Sequence, residues 1–412
     1  MSFREHTLPN GLEIVAECHS EARSTALGFF VKTGARDETD DVSGVSHFLE
    51  HMVFKGTPTR SAEDVNREFD EMGAHYNAFT SEEQTVYYAA VLPEYQGAAV
   101  ELWSDVMRPS LREEDFTTEK QVIIEEIKMY EDQPPFGADD RLRASHFGKH
   151  PLGRSVLGTA ESIAALPVEK MRAYFERRYS PRNIVLAAAG QVDFDALVKT
   201  AEKCCGAWKP FDAERVIERA APHSGFESVF RESASQEYVI QFANGPSGTD
   251  EDRFAAKLLS VIIGDDSGSR LFWELVDPGL AESASLSHHD YQGTGLYYTY
   301  FSGAPENAEE NLARILSIYR DVERNGVTDK ELDQAKNKVN SRVVLSSERP
   351  RGRLFNVGGN WVHRREYRSV KDDLDSVDGV TVEQITAVLK KYPLSTATTL
   401  AIGPLKTVAA PK

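Results

Sequence analysis

In the segment SGVSHFLEHMVFKGTP, two histidines and a glutamate stand in the order His47-x-x-Glu50-His51. Neutral imidazoles at i and i+4 can chelate one Zn²⁺, and a carboxylate beside them can take the proton of a metal-bound water. Two ligands do not complete a zinc site, so a third has to come from elsewhere in the chain. The five-residue pattern is expected by chance only about 0.03 times in a chain of this length and composition, which makes the match specific.

The pattern needs a helix. At ~100° per residue with His47 at zero, His51 falls at about 40° and Glu50 at about −60°, on one narrow face. Val45, Phe48, Leu49, Met52 and Val53 fall opposite, and Phe54 returns close to the ligand face. Such a helix buries its apolar side and presents two imidazoles and a carboxylate to a cavity. Ser43 or Asp41 is expected to cap its start, and Gly56 with Pro58 to end it.

The next helix with suitable acids is DFTTEKQVIIEEIKMYED, residues 115–132. Glu119 and Glu126, seven apart, share a face with Ile123 and Tyr130, whereas Glu125 points elsewhere, to solvent. Glu126 is the expected third ligand, and Glu119 a further carboxylate that orients a ligand or assists proton transfer. An exposed first-turn acid favoured by the helix dipole is the alternative for Glu119. Between the two helices, GAHYNAFTSEEQTVYYAAVL reads as a strand, a polar turn at 81–83 and a second strand. The edge of such a hairpin could hold an extended peptide, with Asn77 and Ala78 as contact points. For Asn77 the competing reading is a strand-end amide that satisfies its own backbone.

A chain of 412 residues is too long for one ordinary core and suits two domains. TVYYAAVLPEYQGAAVELWSDVM and GLYYTYFSGAPENAEENLARILSIY share a double-tyrosine strand, a loop and an amphipathic helix; they begin at 85 and 295. The expected fold is α+β: two duplicated domains related by a pseudo-twofold, each a mainly antiparallel sheet packed with helices. Residues 1–210 form the zinc-binding catalytic domain, 211–228 a linker where periodicity gives way to Pro, Gly and charge, and 229–412 an inactive copy. In the copy, Lys257, Ser260 and Val261 stand where His47, Glu50 and His51 stand in the first half, so one zinc per chain is expected. His288, His289 and His363 have no partner at helical ligand spacing and are read as ordinary histidines.

Composition narrows the partners. With 47 basic residues against 65 acidic ones, the net charge of −18 repels nucleic-acid phosphates and anionic membrane surfaces, so neither is expected as a partner. No apolar run approaches the ~18 residues needed to span a bilayer. Cys18, Cys204 and Cys205 are too few and too poorly spaced for a disulfide framework or a cysteine zinc site. The opening MSFREHTLPNGLEIVAE lacks the pattern of a secretory or organellar signal, and a cytoplasmic location is expected.

GVSHFLEHMVFKGT, NAFTSEEQTVYY, EKQVIIEEIKM and HPLGRSVLGTAESI together resemble the pitrilysin and insulysin family of inverted-zincin metallopeptidases. The length resembles its short two-domain branch, which includes the mitochondrial processing peptidase, and the likeness covers nearly the whole chain. It implies a zinc endopeptidase that hydrolyses peptides or unfolded segments, with two chains closing like a clamshell around a chamber. It implies Glu126 as ligand, Glu119 as second carboxylate, Asn77 and Ala78 on a substrate-binding edge strand, and Phe54 in a side-chain pocket. One departure stands out. Family members carry an Arg and a Tyr seven apart in a segment resembling LREKRGLAYS; here ELVDPGLAES puts Val276 and Glu282 in their places. A heterodimer with a related chain that supplies the pair is therefore expected. A homodimer using Arg270 or Tyr291 competes with it, as does a non-catalytic structural or partner subunit, although the intact ligand set argues against the latter.

Overall fold

The computed structural model of the protein describes residues 1–133, 135 and 137–411. By packing, the chain divides into two compact units. One comprises residues 1–128, 154–216 and 344–370; the other comprises 129–153, 217–343 and 371–412.

The sheet of the first unit is built from β1 (Ser2–Thr7), β2 (Glu13–Cys18), β3 (Thr25–Val31), β4 (His75–Thr80), β5 (Thr85–Val91) and β6 (Ile184–Gly190). Their spatial order is β1-β2-β6-β3-β5-β4, antiparallel throughout except for the parallel pair β2 and β6. β3 (TALGFFV) and β6 (IVLAAAG) are buried at every position. A strand reads as an unbroken apolar run when both faces of its sheet are covered. One face carries the metal-motif helix Val45–Val53 and its neighbours; on the other, the helix Pro350–Arg364 packs Leu354 and Val357 against Val15, Ala26, Phe30 and Val185. Gly358 is the point of closest approach, since a Cβ there would lie 2.4 Å from the Phe30 ring.

The second unit repeats the plan. β7 (Gly225–Phe230), β8 (Glu237–Gly245), β9 (Ser283–Tyr291), β10 (Thr294–Gly303) and β11 (Ala397–Gly403) lie in the order β7-β11-β8-β10-β9, and only β7 and β11 are parallel. Replacing β2, β3, β4, β5 and β6 by β7, β8, β9, β10 and β11 reproduces the first sheet's order and strand senses. The duplicated α+β architecture anticipated from the repeat is therefore present, with β5 leading into the helix Gln96–Val106 and β10 into the helix Ala308–Asn325.

The units are not contiguous in sequence. The break after Val216 lies within the expected linker, but residues 129–153 and 344–370 pack with the unit opposite to the one their chain position suggested. In the second unit the helix Ala138–Phe147 places Ala138, Leu142 and Phe147 against Ile240, Phe242, Leu400 and Ile402. Each half of the chain thus lends one helix to cover the second face of the other half's sheet. The end of the expected linker, Gly225 onward, is already strand β7.

Candidate metal centre

The helix Val45–Val53 forms where the spacing placed it, and Val45, Phe48, Leu49, Met52 and Val53 are all buried. Its start differs from expectation. Neither Ser43 nor Asp41 caps it: Asp41 pairs with Lys170, and the Ser43 carbonyl accepts from Ser162 Oγ. Gly44 sits at the N-cap with φ 87°, a conformation suited to glycine. The free N–H groups of Gly44 and Ser46 donate to the two carboxylate oxygens of Glu38, each at 2.7 Å. Glu38 is buried, and desolvation pushes its carboxyl up to about 8 against the pull of those two bonds. From Ser46 a chain of side chains runs inward: Ser46 Oγ to Tyr174 OH at 2.7 Å, Tyr174 OH to Thr33 Oγ1 at 3.0 Å, and Arg178 Nε to Thr33 Oγ1 at 3.1 Å. The turn that opens the metal helix is thereby fixed to the end of β3.

The expected third ligand, Glu126, comes from the helix Glu113–Asp132. Glu126 Oε2 lies 4.0 Å from His47 Nε2 and 3.7 Å from His51 Nε2, and the ligand atoms of the three residues all lie within 4.8 Å of one another. Zinc binds such atoms at ~2.0–2.2 Å, which separates two tetrahedral ligands by roughly 3.4 Å, so the two Glu126 separations would contract by a few tenths of an ångström around the ion. Burial, with a smaller contribution from His51, drives the His47 pKa down to about 3, leaving the imidazole neutral as a ligand must be. The donor set, two imidazoles and a carboxylate, therefore fits a zinc ion. Among the described residues this is the one group of His, Cys, Asp and Glu side chains so arranged, and the three cysteines are free thiols.

Glu119 stands behind His51. Its Oε1 is 2.9 Å from His51 Nδ1, which fixes the tautomer that leaves Nε2 for the metal, and its Oε2 is 2.5 Å from Lys55 Nζ. Burial raises the Glu119 carboxyl, but the hydrogen bonds from His51 and Lys55 outweigh it and the net shift is downward. Burial likewise lowers His51, and there Glu119 and Glu126 outweigh it, giving a net rise. His47 has no such support, because its Nδ1 is buried without a partner. Glu125 is exposed and pairs with Lys128, as its position on the helix implied.

Glu50 lies on the same helix face as the histidines, and its Oε2 accepts from Thr80 Oγ1 at 2.6 Å. Burial raises its pKa, with the Thr80 bond opposing. Thr80 ends β4, the edge strand of the sheet, and the expected hairpin is present with β5 as its partner. Ala78 is buried on the strand and Asn77 is exposed, its Oδ1 accepting from the Ala78 N–H at 2.9 Å. Phe54 is half-buried in an aromatic group, with ring centroids 6.4 Å from Tyr76 and 5.9 Å from Trp103. Thr80, Lys55 and Glu38 were not singled out from the sequence. Lys55 had a signal, since it lies one helical step beyond His51; the other two contacts span 30 and at most 8 residues through a bend or a turn and leave no periodic trace.

In the second unit, Lys257, Ser260 and Val261 lie on the helix Arg253–Gly264. Lys257 is exposed, and Ser260 Oγ turns back to the Lys257 carbonyl at 2.8 Å. His288 Nε2 meets the Pro246 carbonyl, and His289 Nε2 meets Ser287 Oγ.

A helix of this polarity, with an acidic side chain brought to it from a later helix and a duplicated sheet, is the arrangement that the resemblance to the inverted zincins implied. Residues 13–160 match the family model described as Insulinase (Peptidase family M16), and residues 165–339 match Peptidase M16 inactive domain. The zinc protease YmxG of Bacillus subtilis is 32% identical over 392 residues, covering 94% of this chain and 95% of that one. The zinc protease Rv2782c of Mycobacterium tuberculosis is 34% identical over 394 residues, covering 94% and 90%. The fold matches a protease from Helicobacter pylori with TM-score 0.91 at 22% identity, covering 97% and 99% of the two chains. It also matches a structure titled peptidase M16 inactive domain from Pseudomonas fluorescens, with TM-score 0.91 at 19% identity over the full length of both chains. The chain belongs to the M16 peptidase family, among relatives named as zinc proteases. Among its described residues no helix is long and apolar enough to cross a membrane.

Proposed function

We propose that the protein is a zinc endopeptidase that hydrolyses peptides or unfolded segments, with one zinc per chain held by His47, His51 and Glu126. The observation that carries this reading is the convergence of those three ligand atoms beside the Glu50 carboxylate. Zinc, when bound, supplies a Lewis acid that polarises a peptide carbonyl and makes water a better nucleophile.

The rest of the chemistry belongs to the chain. Thr80 holds one oxygen of Glu50 and leaves the other to take a proton from the attacking water. Burial raises the Glu50 pKa, which suits a group that accepts that proton and then returns it to the leaving amine nitrogen. Glu119 steadies His51 and is itself steadied by Lys55. The substrate would lie as an extra strand along β4, whose outer edge lies at the end of the sheet. Asn77 spends its carbonyl oxygen on Ala78, as the self-capping alternative anticipated, and its amide nitrogen is left to donate to a peptide carbonyl.

The place of the missing Arg and Tyr bears on the partner. Val276 ends the π-helical turn Phe272–Val276, and Glu282 accepts a hydrogen bond from Gln236. Arg270 is paired with Asp321 and Glu331, and Tyr291 is buried, its hydroxyl accepting from Arg143. Neither stands free to replace the pair, which favours a related partner chain as its source over a homodimer. Hydrolysis of a quenched fluorescent peptide by the purified chain, with metal analysis and chelator, tests the reading. Chelator-sensitive cleavage by the chain alone supports the peptidase and removes the need for a partner. Bound zinc without cleavage, relieved by a related chain, supports both; a chain that takes up no zinc overturns the proposal.

A further inference from the structure

Away from the metal centre, the first unit forms an open-mouthed cavity of about 450 Å³ between the end of β3, the start of β6, the segment 211–215 and the helix Pro350–Arg364. That is within the roughly 300–1,000 Å³ of small-molecule sites. Four cations line it, Lys32, Arg182, Arg215 and Arg365, against three acids, Glu13, Asp212 and Glu214, in a chain whose net charge is −18.

Three of the four cations are neutralised. Arg215, with its side chain 2% exposed, is held by Asp37 and by Glu83. Arg182 pairs with Asp212 at 3.3 Å, and Arg365 pairs with Glu13 at 2.6 Å, the latter carboxylate also accepting from Trp361 Nε1.

Lys32 is different. Its backbone is pinned, since its N–H donates to the Asn183 carbonyl and its own carbonyl accepts from Arg178 and Asn183 side chains. Its ammonium, half-buried, meets no acceptor among the described residues. Burial and the neighbouring Arg215 charge work against its protonated form, the more distant Asp37 and Glu83 carboxylates oppose them without reaching hydrogen-bond distance, and the net shift is downward. A partly desolvated ammonium beside a guanidinium and without a direct acceptor is costly, and an anion entering the cavity would relieve that cost. The remaining wall, Ile184, Val185, Val362 and the aromatic rings of Phe211 and Trp361, is suited to an apolar body.

We propose that this cavity binds a small organic anion, a carboxylate or a phosphate monoester with an apolar body, whose charged end pairs with Lys32 Nζ. The site is separate from the zinc ligands and does not depend on the peptidase reading.

The test titrates the chelator-treated full chain with benzoate, phenyl phosphate and inorganic phosphate at constant ionic strength, reading tryptophan fluorescence and isothermal heats. Saturable binding of benzoate or phenyl phosphate, tighter than inorganic phosphate, is expected; which of the two binds assigns the source of the anion. Lys32→Met should weaken binding by roughly tenfold or more with the circular dichroism unchanged, the scale of one charge-assisted hydrogen bond, and Lys32→Arg should restore part of it. No saturable binding up to about 10 mM, a range in which even weak small-ligand contacts register, would overturn the proposal. So would binding that is indifferent to Lys32→Met.

Discussion

The two units share a strand order, the strand senses and a helix in the same place, after β3 in the first and after β8 in the second, yet among the described residues only the first gathers a candidate metal centre. In the first, that helix carries His47, Glu50 and His51 towards Glu126; in the second, Lys257, Ser260 and Val261 occupy its turns, and Ser260 spends its hydroxyl on its own helix. The scaffold is therefore not what makes the site. Three side chains on one helix, plus supports from a second helix and an edge strand, separate the unit that holds the candidate metal centre from its copy.

The comparison is broken most sharply by Glu50→Gln, which should reduce peptide hydrolysis by about 10³-fold or more while leaving zinc content at one per chain, given what general bases contribute. Equal activity in the variant would place catalysis elsewhere. Glu119→Gln is expected to weaken zinc binding by about 10–100-fold, as loss of a carboxylate behind a ligating histidine does; competition with a fluorescent chelator reads it.

The second unit has its own buried carboxylate, put to no such use. Glu237 is fully buried, its Oε1 lacks a partner, its Oε2 has only the Leu405 N–H at 3.4 Å, and burial pushes its pKa up to about 7. A carboxyl whose folded pKa exceeds its unfolded value favours the folded state when protonated, so this contribution fades as pH rises from about 4.5 through about 7. Glu237→Gln should therefore stabilise the chain at pH 8 by on the order of 1–3 kcal/mol and by less at pH 5. Denaturant unfolding at the two pH values checks this, and an equal gain at both would contradict it. Smallest of all, Lys257→Ala with Ser260→Ala should leave the rate of hydrolysis within about twofold, the usual scale for changes outside a site. A larger loss would give the second helix a part in the chemistry.

Much of the site was legible along the chain because its grammar is local. Helical spacing set His47, Glu50 and His51 on one face, and the interval of seven residues set Glu119 beside Glu126. The hairpin was visible from its two strands and polar turn, and the duplication from a repeated strand-loop-helix pattern. What could not be read were partners chosen across bends and between elements. Glu38 replaces Ser43 and Asp41 as the cap, Thr80 reaches Glu50 from the edge strand, and Arg215, expected in a linker, packs within the first unit against Asp37 and Glu83.

The helices Ala138–Phe147 and Pro350–Arg364 make the same point at larger scale. No spacing along the chain encoded which sheet each of them would cover. Periodicity states which side of an element must be buried, and so the sequence by itself determined the helices, the strands, the repeat and the ligand triad. Burial against a particular partner is a property of the whole packed core, where an apolar sheet face accepts any complementary helix within reach. Only the tertiary structure decided which helix covers which sheet, which carboxylate caps the metal helix, and which charged side chains line the cavity beside the helix Pro350–Arg364.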